Sequence, residues 1–77
     1  MKNYRLVKKT VDYGWARDTT IGKIYSMYLV NKDDEYEYYE YHDDVNDKCN
    51  IDNKILAMCF QEVPMVNEKD ANIILEI

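Results

Sequence analysis

Residues 33–44 read DDEYEYYEYHDD, and this run limits the fold more than any other feature of the chain. Seven carboxylates and four tyrosines fill twelve positions, with no Lys or Arg among them. In a strand, successive side chains point to opposite faces. Glu35, Glu37 and Tyr39 then share one parity, and Tyr36, Tyr38 and Glu40 the other. The tyrosine positions slip by one residue between Tyr38 and Tyr39. A β-bulge there would restore a single tyrosine face, because it adds one residue without changing the buried side. The run therefore predicts an ordered strand held by tyrosine burial, not an acidic tail.

The rest of the chain follows the same pattern. Residues 4–9 (YRLVKK) predict a first strand, with Tyr4, Leu6 and either Val7 or Val11 supplying its apolar contacts. Residues 12–22 form a connection in which Gly14 and Gly22 can take positive φ and Asp12 and Asp18 can make side-chain turns. Lys23–Val30 is apolar on both faces, which predicts a central strand. A turn over NKDD precedes the acidic strand, and a short strand follows at Cys49–Ile51. Residues 54–63 (KILAMCFQEV) predict another strand, although Leu-Ala-Met also allows a helical turn, and Pro64 ends it. In the tail, Asn67 can cap a helix with Glu68 and Asp70 in its first turn, while Ile73, Ile74 and Ile77 favour a closing strand. The expectation is one domain over residues 1–77, all-β or β-dominated. Its four to five strands would form a small barrel or a curled antiparallel sheet.

Little chemistry is on offer. Ser26 is the only serine and lies mid-strand without the glycine elbow of a nucleophile. His42 is the only histidine and sits between Tyr41 and Asp43. Asp43, Asp44, Asn46, Asp47 and Asp52 crowd ten residues, but Lys48 stands where a calcium loop needs its third ligand and the loop glycine is absent. Cys49 and Cys59 lack the C-x-x-C spacing of a zinc site. Two free thiols are expected, as in a reducing cytoplasm. The chain reads as a non-enzyme without catalytic residues, metal or cofactor, and no apolar run is long enough to span a membrane.

Gly22, Lys23, Tyr25, Asp43, Asp44, Phe60 and Val63, spread over residues 4–63, resemble the strand entry, acidic turn and closing strand of small SH3-like β-barrel proteins common in phage genomes. The glycine that those proteins carry in the second turn is replaced here by Val45 and Asn46, and the C-terminal segment is additional. The resemblance implies an SH3-like barrel. In character the chain is also similar to acidic phage host-takeover inhibitors, some of which imitate DNA.

Charge carries the functional expectation. Residues 1–32 hold seven bases and two acids, whereas residues 33–77 hold three bases and thirteen acids. The eight acids from Asp33 to Asp47 cannot be buried, so they face water or a basic partner. Same-sign crowding without interspersed Lys opposes folding, and accepting that cost points to use. The expectation is a phage-type inhibitor acting in the host cytoplasm. It would block a host DNA-binding protein (a sliding clamp, nucleoid protein or nuclease) by charge mimicry, without binding nucleic acid or membrane itself. The candidate partner-binding residues are Asp33, Asp34, Glu35, Glu37, Tyr39, Glu40, Tyr41, Asp43, Asp44 and Asp47. The alternative is an SH3-like virion or assembly component, or a peptide-binding module around Tyr13 and Trp15, with incidental acidity. A small core and an apolar edge also predict a homodimer.

Overall fold

Tyr4 and Leu6 fix the first strand, β1 (Lys2–Leu6), because only these two of its side chains are buried. The strand begins and ends earlier than residues 4–9. Val7 is exposed, and the Val7 and Lys8 amides donate to the Cys59 carbonyl instead of continuing a ladder. The computed structural model describes residues 1–64, so the expected closing strand or short helix over residues 67–77 lies outside the described residues.

The connection after β1 holds a single 3-10 turn at Gly14–Ala16, and Gly14 and Gly22 take φ values of +60° and +95°. Both angles lie where glycine carries no steric penalty. Asp18 makes no side-chain turn of its own: its carboxylate accepts from Arg17 Nε at 3.1 Å and its carbonyl accepts from the Asp44 amide at 2.8 Å.

Strand β2 (Ile24–Lys32) is central, as its apolar content predicts, and longer than expected. Its first half pairs with β1, from Arg5↔Ile24 to Lys2↔Met27; its second half pairs with β3 (Glu37–His42), from Tyr28↔Glu40 to Lys32↔Glu37. One strand thus serves two half-sheets and the whole curls. Only one face of β2 is covered, however. Tyr25 and Met27 are buried, while Ile24, Tyr28, Leu29 and Val30 remain exposed.

After β3 come β4 (Lys48–Asp52), a helix α1 (Asn53–Cys59) and β5 (Phe60–Val63). The sheet order is β4-β3-β2-β1-β5, with every neighbouring pair antiparallel. This is a β-dominated fold: a curled five-stranded antiparallel sheet with one short helix.

The helix corrects the expectation of one strand over residues 54–63. The Asp52 carboxylate accepts from the Ile55 amide at 2.9 Å, which caps the first turn, and Lys54, Leu56, Ala57 and Met58 are all good helix formers. Seven residues are too few to stand alone in water, so packing of Leu56 and Cys59 into the core holds the helix. Phe60 ends it and starts β5.

The core is Tyr4, Leu6, Tyr25, Met27, Tyr41, Ile51, Leu56, Cys59 and Phe60. Phe60 is its hub, with ring centroids 5.7 Å from Trp15, 6.0 Å from Tyr41 and 6.5 Å from Tyr25. Such edge and tilted contacts add about 0.5–1.5 kcal/mol each beyond area burial. Cys49 and Cys59 are both free thiols.

Candidate interaction surface on the acidic hairpin

The bulge exists, but in the other strand. Leu29 faces Tyr39 and Asn31 faces Tyr38, so Val30 of β2 is the extra residue opposite the Tyr38–Tyr39 step. Strand β3 therefore keeps strict alternation, and the expected single tyrosine face is replaced by a split. Tyr39 and Tyr41 point inward with Glu37, while Tyr38 lies on the outer face with Glu40 and His42. The sequence of β3 alone cannot tell which strand of a hairpin receives the extra residue.

Tyr41 is consequently removed from the partner-facing set. It is fully buried, its ring lies 5.4 Å from that of Tyr25, and its hydroxyl donates to the Trp15 carbonyl at 3.1 Å. Burial pushes its pKa up. Tyr39 is half-buried, edge-on to Tyr4 at 6.5 Å, and its hydroxyl donates to Glu37 Oε1 at 3.0 Å. Tyr36 and Tyr38 have ring centroids 6.2 Å apart, and Lys54 sits 4.9 Å over Tyr36 while donating to its hydroxyl at 3.1 Å.

Two acidic turns bracket β3. In the first, Asp33 Oδ1 accepts from the amides of Glu35 and Tyr36 at 2.9 and 2.7 Å, which holds the carboxyl below its ordinary pKa. Asp34 and Glu35 project from this turn, both exposed. In the second, Asp43 Oδ1 accepts from the Val45 and Asp47 amides at 3.1 and 2.8 Å. Asn46 supplies the left-handed position at φ 64°, a conformation asparagine tolerates better than most residues. That explains how the turn forms without a glycine. Asp47 is exposed. Between the turns, Glu40 accepts from the Tyr28 hydroxyl at 2.6 Å.

Asp44 differs from the other acids. It accepts from Lys23 Nζ at 2.6 Å, Thr20 Oγ1 at 2.7 Å and the Tyr25 hydroxyl at 2.8 Å. These bonds, Lys23 foremost, bring its pKa down to about 2. Its charge ties the 3-10 loop to the hairpin and is matched internally. Glu37 is partly matched as well, by Lys32 at 3.8 Å. The structure thus brings Asp33, Asp34 and Glu35 together at one end of β3 and Asp43, Asp44 and Asp47 at the other. Five strand steps separate the two ends, about 17 Å.

Thr20, Lys23, Tyr28 and Lys54 all hold parts of this surface, and sequence reasoning assigned none of them a role there. All are remote in sequence from the groups they hold, so no local pattern reveals them; only the GK entry at Gly22-Lys23 lay near a quoted motif. Cys49 lies beside Asp43, its sulfur 3.6 Å from Oδ2, and burial followed by that carboxylate pushes its thiol up to about 11. A thiol so protonated is a poor nucleophile. Among the described residues no group of three or more His, Cys, Asp or Glu is placed to hold a metal ion, and no helix is long and apolar enough to cross a membrane. No protein-family model, curated protein or solved structure matches the chain.

Proposed function

We propose that this chain is an interaction protein, an acidic inhibitor of phage type that occupies the basic surface of a host DNA-binding protein in place of nucleic acid. The observation that carries the reading is how the carboxylates are held. Asp33, Asp43 and Glu40 are fixed by neutral donors: four main-chain amides, the Tyr28 and Tyr38 hydroxyls and the Cys49 thiol. Neutral donors orient a carboxylate and favour its ionised form but leave its charge uncancelled. A surface whose purpose was self-stabilisation would match acids with bases, as Asp44 and Lys23 do. Fixed, unmatched charge suits a basic partner, because little side-chain freedom is lost on docking. The sharing of β2 between two half-sheets supports the likeness to SH3-like proteins, though it distinguishes no function.

The test is salt-dependent capture of a sliding clamp, a nucleoid protein or a nuclease from a bacterial host, with DNA as competitor. Affinity should fall steeply with salt, and DNA should displace the protein. Replacing Asp33, Asp34, Glu35 and Glu37 by Asn or Gln removes four charges and keeps the Asp33 turn, since an Asn carbonyl also accepts from the amides. The fold should survive, and affinity should drop severalfold. A tight complex indifferent to salt, DNA and this neutralisation would overturn the reading.

A further inference from the structure

Tyr36 and Tyr38 are not among the candidate residues drawn from the sequence, yet they bring two aromatic rings to the tip of the acidic hairpin. Their centroids are 6.2 Å apart, with the planes tilted by 32°. Both side chains are half-buried, and with Asp33, Asp34 and Glu35 they line a shallow concavity of about 420 Å³. That lining holds three carboxylates and no base. Across the strands, Tyr38 faces Asn31 of β2 and a further acid, Asp52 of β4.

The two rings differ in what they already hold. Lys54 Nζ lies 4.9 Å over the Tyr36 ring and donates to its hydroxyl at 3.1 Å, so the aromatic pair already takes a cation from within the chain. Among the described residues no cation lies over Tyr38. The Tyr38 hydroxyl donates to Asp33 Oδ2 at 3.4 Å, a long contact that a charged donor would outcompete. Asp34 and Glu35 are exposed, and neither carboxylate has an ion-pair partner among the described residues.

We infer that the Tyr38 ring, with the carboxylates of Asp33, Asp34 and Glu35, receives an arginine side chain of the basic partner. This deepens the reading of the acidic hairpin as the partner-facing surface and rests on it. Charge complementarity selects a cation, and the ring selects which one. A guanidinium is planar and stacks on an aromatic face, whereas an ammonium is a compact point charge. The guanidinium also presents a fork of donors that a carboxylate accepts two at a time. It is more weakly hydrated, so docking strips less water. Carboxylates elsewhere on the hairpin attract either base, and the tyrosine adds discrimination between them.

The experiment titrates the full chain with two capped peptides of equal charge, Lys-Lys-Arg-Lys-Lys and Lys-Lys-Lys-Lys-Lys, following the tyrosine ring signals by NMR. The arginine peptide should bind about threefold more tightly and move the Tyr36 and Tyr38 signals. Tyr38→Leu should bring the two peptides to one affinity, whereas Tyr38→Phe keeps the ring and should retain the preference. Asp34→Asn with Glu35→Gln alters only exposed side chains; it should weaken both peptides and narrow the difference. Dispersed amide spectra confirm that each variant folds. Equal binding of both peptides by the unmodified chain overturns the inference, and so does a preference that survives Tyr38→Leu or the double variant. A preference lost in Tyr38→Phe also overturns it, because the hydroxyl and not the ring would then be responsible. Sedimentation in which Tyr38→Leu turns a dimer into a monomer does the same, since a second copy would then cover the ring. Salt-sensitive binding of both peptides without an arginine preference counts only against the Tyr38 site; salt-insensitive binding counts against the underlying reading.

Discussion

Replacing Tyr41 by Phe deletes one oxygen from the centre of β3 and nothing else. The ring keeps its contacts with Tyr25 and Phe60, 5.4 and 6.0 Å away, so packing is conserved. What is lost is the hydrogen bond to the Trp15 carbonyl at 3.1 Å, which joins the 3-10 turn to the sheet. The bond is only partly buried, so its loss costs about 0.5–1.5 kcal/mol. For a chain of 77 residues the whole folding free energy is about 4–12 kcal/mol, so the loss is a sizeable fraction. Urea unfolding followed by tryptophan fluorescence reads it directly, since Trp15 reports on its own anchoring point. With a slope of about 1 kcal/mol per molar urea, the midpoint should fall by about 0.5–1.5 M at unchanged slope. Affinity for a basic partner should not change, because the hydroxyl faces inward. An unaltered midpoint would refute the inward placement of Tyr41 and return it to the partner-facing set. A weakened complex with unaltered stability would do the same from the other side.

Two further outcomes follow from the acids that hold the fold. Asp52→Ala removes the cap of α1 and should lower stability by about 1 kcal/mol, measured by the same urea titration. Asp44 has a folded pKa lowered to about 2 from 3.8, so its contribution is complete above pH 4 and is lost as pH falls toward 2. The stability gap between the unmodified chain and Asp44→Asn should therefore close over that window. A gap constant from pH 7 to pH 2 would show that the Thr20, Lys23 and Tyr25 bonds do not depend on its charge.

The sequence carried the strand content plainly, because β-branched and aromatic residues alternate and the few glycines mark turns. Gly14 and Gly22 were legible for that reason, and so was the central place of β2. The helix was harder. Lys-Ile-Leu-Ala-Met-Cys suits either state until Asp52 is recognised as a cap, and a seven-residue helix has too little periodicity to announce itself. The split of the tyrosines was not legible at all, since a bulge is a property of two strands and the extra residue, Val30, lay in the one that looked regular. The candidate surface was visible as composition but not as arrangement. That Asp44 is matched by Lys23 and Glu40 is held by Tyr28 depends on contacts between distant residues, whereas Asp33 and Asp43 are held by amides two to four residues along the chain.

The route by which the sheet closes has a consequence for how it comes apart. Strands β2, β3 and β4 are joined by short turns, so their pairing needs only neighbours in the chain, whereas β5 must return to β1 from the far end of the described residues. Contacts between distant residues are the ones that carry the loop-closure cost. The seam between β1 and β5 is four residue pairs long, Asn3↔Val63 to Leu6↔Phe60, and its amides are expected to exchange before those of the meander in native-state hydrogen exchange. The two acidic turns, Asp33–Tyr36 and Asp43–Asp47, are each closed by main-chain amides within the three-strand meander, and Asp44 also ties the second to Asp18, Thr20 and Lys23 in the loop before β2. By the same reasoning the amide-closed acidic turns should persist after the seam has parted.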